Sequence, residues 1–181
     1  MHLGANGYAG LAGIEDGGVN VCGLFRVERG RRAPGFELLL DYLSAGGNGA
    51  LVERLRAARA DGDSFRAVAG FELGWQLASD GLCAVGDAGS MIPPFTGNGM
   101  SMAFQSAEVA LEPLLRWSRG GQSWERSVAE IRQGLRQRFR RRLLAASILH
   151  PVLLRRGGRT FLEVLARSGL LPFRPLLSLV R

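Results

Sequence analysis

The chain has 181 residues, of which 46% are hydrophobic and 22% are charged, and its formal net charge is +7. This length provides one to one and a half ordinary domains, and the composition is globular, which excludes a disordered or collagen-like chain. No apolar run reaches the roughly 18 residues of a membrane span, and two cysteines cannot form a disulfide framework, so we expect a cytoplasmic protein in which Cys22 and Cys83 are buried thiols.

The positive charge is concentrated at the C-terminal end. All 23 basic residues are arginine, and residues 126–181 contain 13 of them against two acidic residues, Glu130 and Glu163. Such a tail suits peripheral contact with an anionic membrane surface, and it equally suits the solvated face of packed helices, so both interpretations stay open. Aromatic side chains that could stack on bases are sparse in this region, so no nucleic-acid partner is expected.

The first part of the chain predicts a hairpin followed by two helices. Residues 8–14 and 19–27 flank an Asp-Gly turn and are expected to pair as antiparallel strands. A helix is predicted over 36–43, and Asn48 is placed to cap a second helix that ends near Ala60.

Two strands and a series of helices are predicted for the rest of the chain. Residues 65–73 and 82–85 have the apolar patterns of strands. Four helices are then predicted, over 100–115, 124–149 (which His150-Pro151 ends), 159–167 and 173–180. In the first of them, Ala103, Ala107 and Ala110 form a small-residue stripe that lets a helix lie close against a sheet.

The segment between the strand at 82–85 and the helix at 100 is the most informative. It reads Gly86-Asp87-Ala88-Gly89-Ser90-Met91-Ile92-Pro93-Pro94-Phe95-Thr96-Gly97-Asn98-Gly99-Met100. An ionised Asp just past the carboxyl end of a strand accepts hydrogen bonds from the hydroxyls of a polyol. The paired glycines leave N–H groups uncovered at a helix N-terminus, where the helix dipole favours negative charge. The pattern therefore predicts a site for a flat, partly anionic ligand that carries a polyol chain.

This segment resembles the second FAD-contacting motif of the flavin-dependent hydroxylase and geranylgeranyl-reductase superfamily. In that family Gly-Asp, a few small residues, proline, Gly-x-Gly and a helix follow one another in this order. The resemblance implies that Asp87 accepts hydrogen bonds from the ribityl chain of FAD and that N–H groups near the paired glycines face the pyrimidine edge of the isoalloxazine. The cofactor-binding residues that it implies are Gly86, Asp87, Pro93, Gly97, Asn98, Gly99 and Met100.

The resemblance also implies a fold and a reaction. The fold class is α/β: the C-terminal fragment of an FAD-binding Rossmann-like domain, with part of an antiparallel substrate-domain sheet and a C-terminal helical region. Its segments are a remnant of the substrate sheet and helices (1–75), the second FAD-contacting segment with strand, Gly-Asp loop and helix (76–118), and a basic helical region (119–181). The activity is that of an FAD-dependent reductase or monooxygenase with hydride transfer through flavin N5, NAD(P)H as a candidate electron donor, and a small hydrophobic, prenyl or aromatic substrate.

Two departures from the family pattern qualify this interpretation. Ala88-Gly89-Ser90 stands where many hydroxylases have a histidine, which weakens an aromatic-hydroxylase assignment, and the similarity of residues 93–99 to the family motif favours the reductase-like branch. The N-terminal GxGxxG of the other FAD signature is absent, so we expect the chain to be the C-terminal part of a longer protein. Two alternatives from other classes stay open: a non-catalytic relic that does not bind FAD, and a basic helical adaptor for membrane surfaces.

Few other side chains are candidates for chemistry. Tyr8 and Trp75 are candidate substrate contacts, against the alternatives that Tyr8 packs within its sheet and that Trp75 is a core residue. His2 and His150 have no carboxylates at ligand spacing, so no metal site is expected. The sequence has no nucleophile elbow, Walker motif or paired carboxylates, and we assign no catalytic acid or base.

Overall fold

The computed structural model describes residues 1–76 and 81–170 of the chain. Over these residues the fold is mixed α/β, 56% helical and 12% strand, and its small sheets are antiparallel, which confirms the coarse fold class. The described residues divide into two units, the first from Met1–Phe71 and Pro151–Gly169 and the second mainly from Glu72–His150. The expected segment boundary after residue 75 lies close to the boundary between the units, whereas the one after residue 118 falls inside the second unit.

An antiparallel sheet begins the first unit. Its strands β1 (His2–Leu3), β2 (Gly7–Gly13) and β3 (Val19–Phe25) pair in chain order. In the longer pair, Gly7 lies opposite Phe25 and Gly13 opposite Val19. The predicted hairpin is therefore confirmed, with the first strand shifted by one residue and the second ending two residues earlier than the apolar pattern indicates.

Two helices supply most of the core of the first unit. They are α1 (Phe36–Ala45) and α2 (Gly49–Ala57), as predicted, although α2 ends before Ala60 and the side chain of Asn48 makes no capping hydrogen bond. Aliphatic side chains one helical turn apart face the sheet, and burying each contributes about 1.5–3 kcal/mol. The buried members of this core are Ala9, Leu39, Leu40, Leu43, Leu51, Val52 and Leu55.

A polar cluster joins the loop after β3 to α1. Arg31 forms ion pairs with Glu28 (Nη2 to Oε2, 2.7 Å) and Asp41 (Nη1 to Oδ2, 2.8 Å). Its guanidinium carbon lies 5.4 Å from the centroid of the Tyr42 ring, whose hydroxyl accepts from the backbone N–H of Glu28 at 3.2 Å. The hydrogen bonds that Arg31 and then Asn6 donate to the Glu28 carboxylate lower the pKa of Glu28.

The second unit is built on a helical hairpin. Its helices α3 (Gly99–Ser118) and α4 (Trp124–Leu154) run antiparallel, since Glu108 of α3 pairs with Arg138 and Arg116 pairs with Glu130. Beside them, β4 (Gly74–Trp75) and β5 (Ser90–Met91) form a second antiparallel sheet. The buried core of this unit comprises Ile92, Met102, Ala110, Ile131, Leu135, Phe139, Leu143 and Ala146.

Both strands predicted between the hairpin and the helices are wrong. Within the described residues, only Gly74–Trp75 and Ser90–Met91 form a ladder in this part of the chain, and residues 65–73 and 82–85 do not. At Val85 the backbone is extended, with φ −126° and ψ 164°. An alternating or apolar pattern marks residues that are able to pair, but a ladder also needs a neighbouring strand.

Two further expectations are corrected at the level of single residues. The helix α4 does not end at His150-Pro151 but continues to Leu154, because a proline inside a helix removes one hydrogen bond, to the carbonyl four residues earlier, and the residues after it can keep helical torsion angles. Cys22 is exposed and Cys83 is half-buried, so the expectation of two buried thiols is wrong. Cys22 alternates with Val21 on β3, and it is Val21 that packs against the core.

The C-terminal part of the described chain is helical. Helix α5 (Arg156–Arg167) confirms the helix predicted over 159–167, while the helix predicted over 173–180 lies outside the described residues. Within those residues, no helix is both long enough and apolar enough to cross a bilayer.

The Glu28 carboxylate makes the stability of the first unit depend on pH. Its pKa is lower in the folded chain than its ordinary value of 4.5, so its contribution is present above that value and is lost as the pH falls through the folded pKa. We expect the wild type to lose unfolding free energy relative to Glu28→Gln as the pH falls below about 4.5, measured by urea unfolding at a series of pH values. Glu53→Gln, at an exposed position of α2, is the control and should follow the wild type. A difference between Glu28→Gln and the wild type that stays constant with pH would contradict the prediction.

Candidate functional site

The Gly-Asp motif folds as a tight turn that is held against α3. Gly86–Ala88 forms one 3-10 turn, and Gly86 has a φ of +59°, in the left-handed region that glycine adopts without strain. The N–H of Gly86 donates to the hydroxyl of Ser106 at 2.7 Å, and this hydroxyl donates to the carbonyl of Ala103 at 2.6 Å. Ser106 is only 2% exposed, so a buried hydroxyl attaches the turn to the helix.

Asp87 presents an exposed carboxylate on this turn. Within residues 1–76 and 81–170, this carboxylate takes part in no hydrogen bond and no ion pair. Two hydrogen bonds fix the backbone of the turn. The N–H of Gly86 donates to Ser106, and the N–H of Gly89 donates to the carbonyl of Gly86 at 3.0 Å. The acceptor capacity of the carboxylate is therefore available to a ligand.

The prolines and Gly97 shape the loop between β5 and α3. Pro93 is buried and has the extended conformation expected of this loop, with φ −53° and ψ 128°. A 3-10 turn over Pro94–Thr96 follows and ends at Gly97, which has a φ of +67°. The Thr96 hydroxyl donates to the carbonyl of Pro93 at 3.0 Å and accepts from the N–H of Asn98 at 3.3 Å. Because Pro93 is buried, it contributes to the site through the shape of the loop and not as a surface contact.

The N-terminus of α3 opens onto solvent. The carbonyl of Asn98 accepts from the N–H of Met102 at 2.9 Å, so the N–H groups of Gly99, Met100 and Ser101 precede the first intrahelical bond. A Cβ atom at Gly99 would meet nothing within 4 Å, and the side chain of Met100 is 79% exposed. This end of the helix therefore has both the space and the positive dipole end that an anionic group needs.

An aromatic stack holds the tip of the loop. The rings of Phe95 and His150 are parallel to within 1°, with centroids 5.9 Å apart. Burial lowers the pKa of His150, so the imidazole is neutral at pH 7. The sequence suggested only a helix break at His150. The local pattern could not have indicated that His150 stacks on Phe95, because the two residues are far apart in the sequence.

Ser106 is the functional residue that sequence reasoning missed. The expected small-residue stripe is only partly correct, because Ala107 is exposed and Ala103 is half-buried. The buried stripe of α3 begins one residue earlier and comprises Met102, Ser106, Ala110 and Pro113. A four-residue period counted from Met102 would have found the hydroxyl, but not its bond to the turn.

The two candidate substrate residues lie in different units. Tyr8 lies on β2 in the first unit and is 4% exposed, which agrees with packing within its sheet. Trp75 lies on β4 in the second unit, where it pairs with Ser90, close along the chain to the Gly-Asp turn. It is 40% exposed, so the alternative that Trp75 is a core residue is wrong, because a two-stranded sheet leaves one of its faces uncovered. The structure thus brings Trp75, but not Tyr8, into the unit that contains the motif.

The chain matches no protein-family model, and no curated protein or solved structure matches it. In the part of the chain that the structure describes, no group of three or more His, Cys, Asp or Glu side chains could hold a metal ion. The chemistry of the site therefore has to be inferred from the turn, the loop and the helix N-terminus themselves.

Replacing Ser106 tests whether the turn depends on this hydroxyl. In Ser106→Ala the N–H of Gly86 loses its acceptor, and we expect a loss of about 1–3 kcal/mol of unfolding free energy. Ser118→Ala is the matched control, because the Ser118 hydroxyl makes the same bond to the carbonyl three residues back (Leu115, 3.0 Å) on the exposed side of α3. Equal effects of the two substitutions on chemical denaturation would show that the bond to Gly86 contributes nothing.

Proposed function

We propose that this chain is the C-terminal part of an FAD-dependent oxidoreductase and that the Gly-Asp turn and the N-terminus of α3 hold the flavin end of the cofactor. The observation that carries the proposal is the carboxylate of Asp87, which is exposed and has no partner within the described residues. It stands on a turn that Ser106 fixes to α3 and that packs closely on it, since a Cβ at Gly86 would lie 3.5 Å from that of Ala103. A carboxylate that serves only to stabilise a turn normally accepts hydrogen bonds from it.

The residues fit a ribityl chain and the pyrimidine edge of a flavin. An ionised Asp87 is an acceptor with two oxygens, which suits the neighbouring hydroxyls of a polyol. The N–H groups of Gly99 and Met100 point from a helix N-terminus, where they would stabilise negative charge on a reduced ring. When bound, FAD would supply hydride transfer through N5, and this chain would bind and orient it.

The exposed apolar surface of the second unit supports a larger Rossmann-like domain. Leu82 is 59% exposed and Val85 37% exposed, in a segment that forms no ladder within the described residues. On α3, Phe104 is 79% exposed and Leu111 58% exposed. In this proposal the dinucleotide-binding half of the domain, with strands that pair with residues 82–85, covers these side chains.

The residues after Asp87 favour the reductase-like branch over the hydroxylases. A Cβ at Gly89 would lie 2.8 Å from the carbonyl oxygen of Ala84, so this position accepts no side chain. Ser90 is 5% exposed and sits in the ladder opposite Trp75. Positions 89 and 90 therefore have no room for an imidazole, and we propose reduction of a small hydrophobic or prenyl substrate with NAD(P)H as electron donor.

Asp87→Asn tests the cofactor directly. The protein is produced from the whole reading frame that contains these 181 residues. Its bound flavin is measured from the visible absorption spectrum of the purified protein. Loss of charge-assisted hydrogen bonds to the ribityl hydroxyls should weaken FAD binding roughly 10- to 100-fold. The matched control is Asp63→Asn, because Gly62–Ser64 is the other Gly-Asp 3-10 turn of the chain and Asp63 is exposed there. Wild-type protein that neither carries nor binds flavin would identify a non-catalytic relic and overturn the proposal.

Gly99→Ala separates ligand contact from folding. The new methyl group meets open space, and alanine favours a helix by up to about 1 kcal/mol over glycine, so the unfolding free energy should stay unchanged or rise. The same methyl group would stand between the helix N–H groups and the flavin, and we expect FAD affinity to fall roughly tenfold, as for the loss of one hydrogen bond. Unchanged affinity in a titration followed by flavin fluorescence would place the flavin elsewhere.

A further inference from the structure

One face of α4 carries arginines that are followed by large aliphatic side chains. Arg136, Arg140, Leu144 and Ile148 succeed one another at intervals of four residues, and all four are exposed. Leu144 is 58% exposed and Ile148 is 60% exposed. Residues four apart lie one above the other on a helix, so these side chains form a continuous row about 18 Å long. We call them, together with the adjacent exposed Arg141, the α4 row.

The guanidinium groups of the α4 row have no partners of their own. Within the described residues, Arg136, Arg140 and Arg141 take part in no ion pair and no side-chain hydrogen bond. Arg138 and Arg142 differ from them, because they contact Glu108 and Gln105 of α3. The row is therefore a set of cations whose charge no neighbouring side chain offsets.

Over the length of the row, the helix itself supplies no acidic side chain to offset the arginines. Residues 131–155 contain seven arginines and no acidic residue. The complement of such a face is a polyanion. The aliphatic end of the row distinguishes between polyanions, because Leu144 and Ile148 leave water at the boundary between headgroups and acyl chains but gain nothing on a phosphodiester backbone.

We propose that the α4 row binds the surface of an anionic phospholipid bilayer. The three arginines contact lipid phosphates, and their apolar stems lie along the membrane surface while the charged ends stay at the headgroups. Leu144 and Ile148 enter the interfacial region beside them. The proposal does not rest on flavin binding, since it uses none of the residues of the Gly-Asp turn or of the N-terminus of α3.

Vesicle co-sedimentation of the protein produced from the whole reading frame that contains these 181 residues tests the arginine half of the row. We expect binding to phosphatidylcholine vesicles that contain phosphatidylglycerol, none to pure phosphatidylcholine, and a decrease as salt screens the charges. Arg136→Gln/Arg140→Gln/Arg141→Gln should weaken binding roughly 100-fold, since each basic side chain near an anionic surface is worth about a factor of five. The control R54Q/R56Q/R59Q makes the same change of charge at exposed positions in and after α2 and should bind as the wild type does. Gln keeps the helix propensity of Arg, and circular dichroism confirms folding.

The aliphatic half of the row is tested separately. Leu144→Gln/Ile148→Gln should remove the binding that persists when salt is raised. Ile14→Gln/Val19→Gln is the matched control, because these side chains are 57% and 54% exposed on the first hairpin. No binding to anionic vesicles, or equal losses in the two arginine triples, would overturn the proposal. Binding to double-stranded RNA as tight as binding to vesicles and insensitive to Leu144→Gln/Ile148→Gln would assign the row to nucleic acid, and a dimer that this variant dissociates would assign it to a second copy of the chain.

Discussion

The hydrogen bond between the N–H of Gly86 and the buried hydroxyl of Ser106 is the constraint on which the candidate site depends. It joins a turn that only glycine forms without strain to the helix whose N-terminus completes the site. Ser106 also donates to the carbonyl of Ala103, so the backbone of the turn is satisfied internally. The carboxylate of Asp87, in contrast, has no hydrogen-bond partner within the described residues. This difference is the reason why we propose that the turn binds a ligand and does not only connect two elements of the fold.

The second unit exposes two surfaces of different chemistry. Residues 82–85 and the outer side of α3, with Phe104 and Leu111, expose large apolar side chains, which is the character of a surface that another part of a domain would cover. The α4 row combines unpaired arginines with Leu144 and Ile148, which is the character of a membrane-surface helix. The first unit has its own aliphatic core, to which the Glu28–Arg31 cluster adds a polar link that depends on pH.

Most of the helical and hairpin structure could be predicted from the sequence, and part of the site could be. The glycines at 86 and 97 have the left-handed conformations for which their turns need glycine, and α3 begins directly after Asn98. The sequence predicted strands at 65–73 and 82–85 that the structure does not form. Strand pairing depends on a second strand, which the pattern of one segment does not reveal. Prediction also failed for the continuation of α4 past Pro151, since a proline removes one hydrogen bond of the helix and the residues after it can still keep helical torsion angles.

The sequence by itself determined where the chain turns, where its helices begin and where its positive charge is concentrated, because these depend on the torsional preferences and the order of neighbouring residues. Only the tertiary structure decided that Ser106 holds the Gly-Asp turn, that Cys22 and Trp75 are exposed, and which arginines of α4 have partners. Burial and hydrogen bonding depend on which distant residues meet, and a pattern read along one segment does not contain that information.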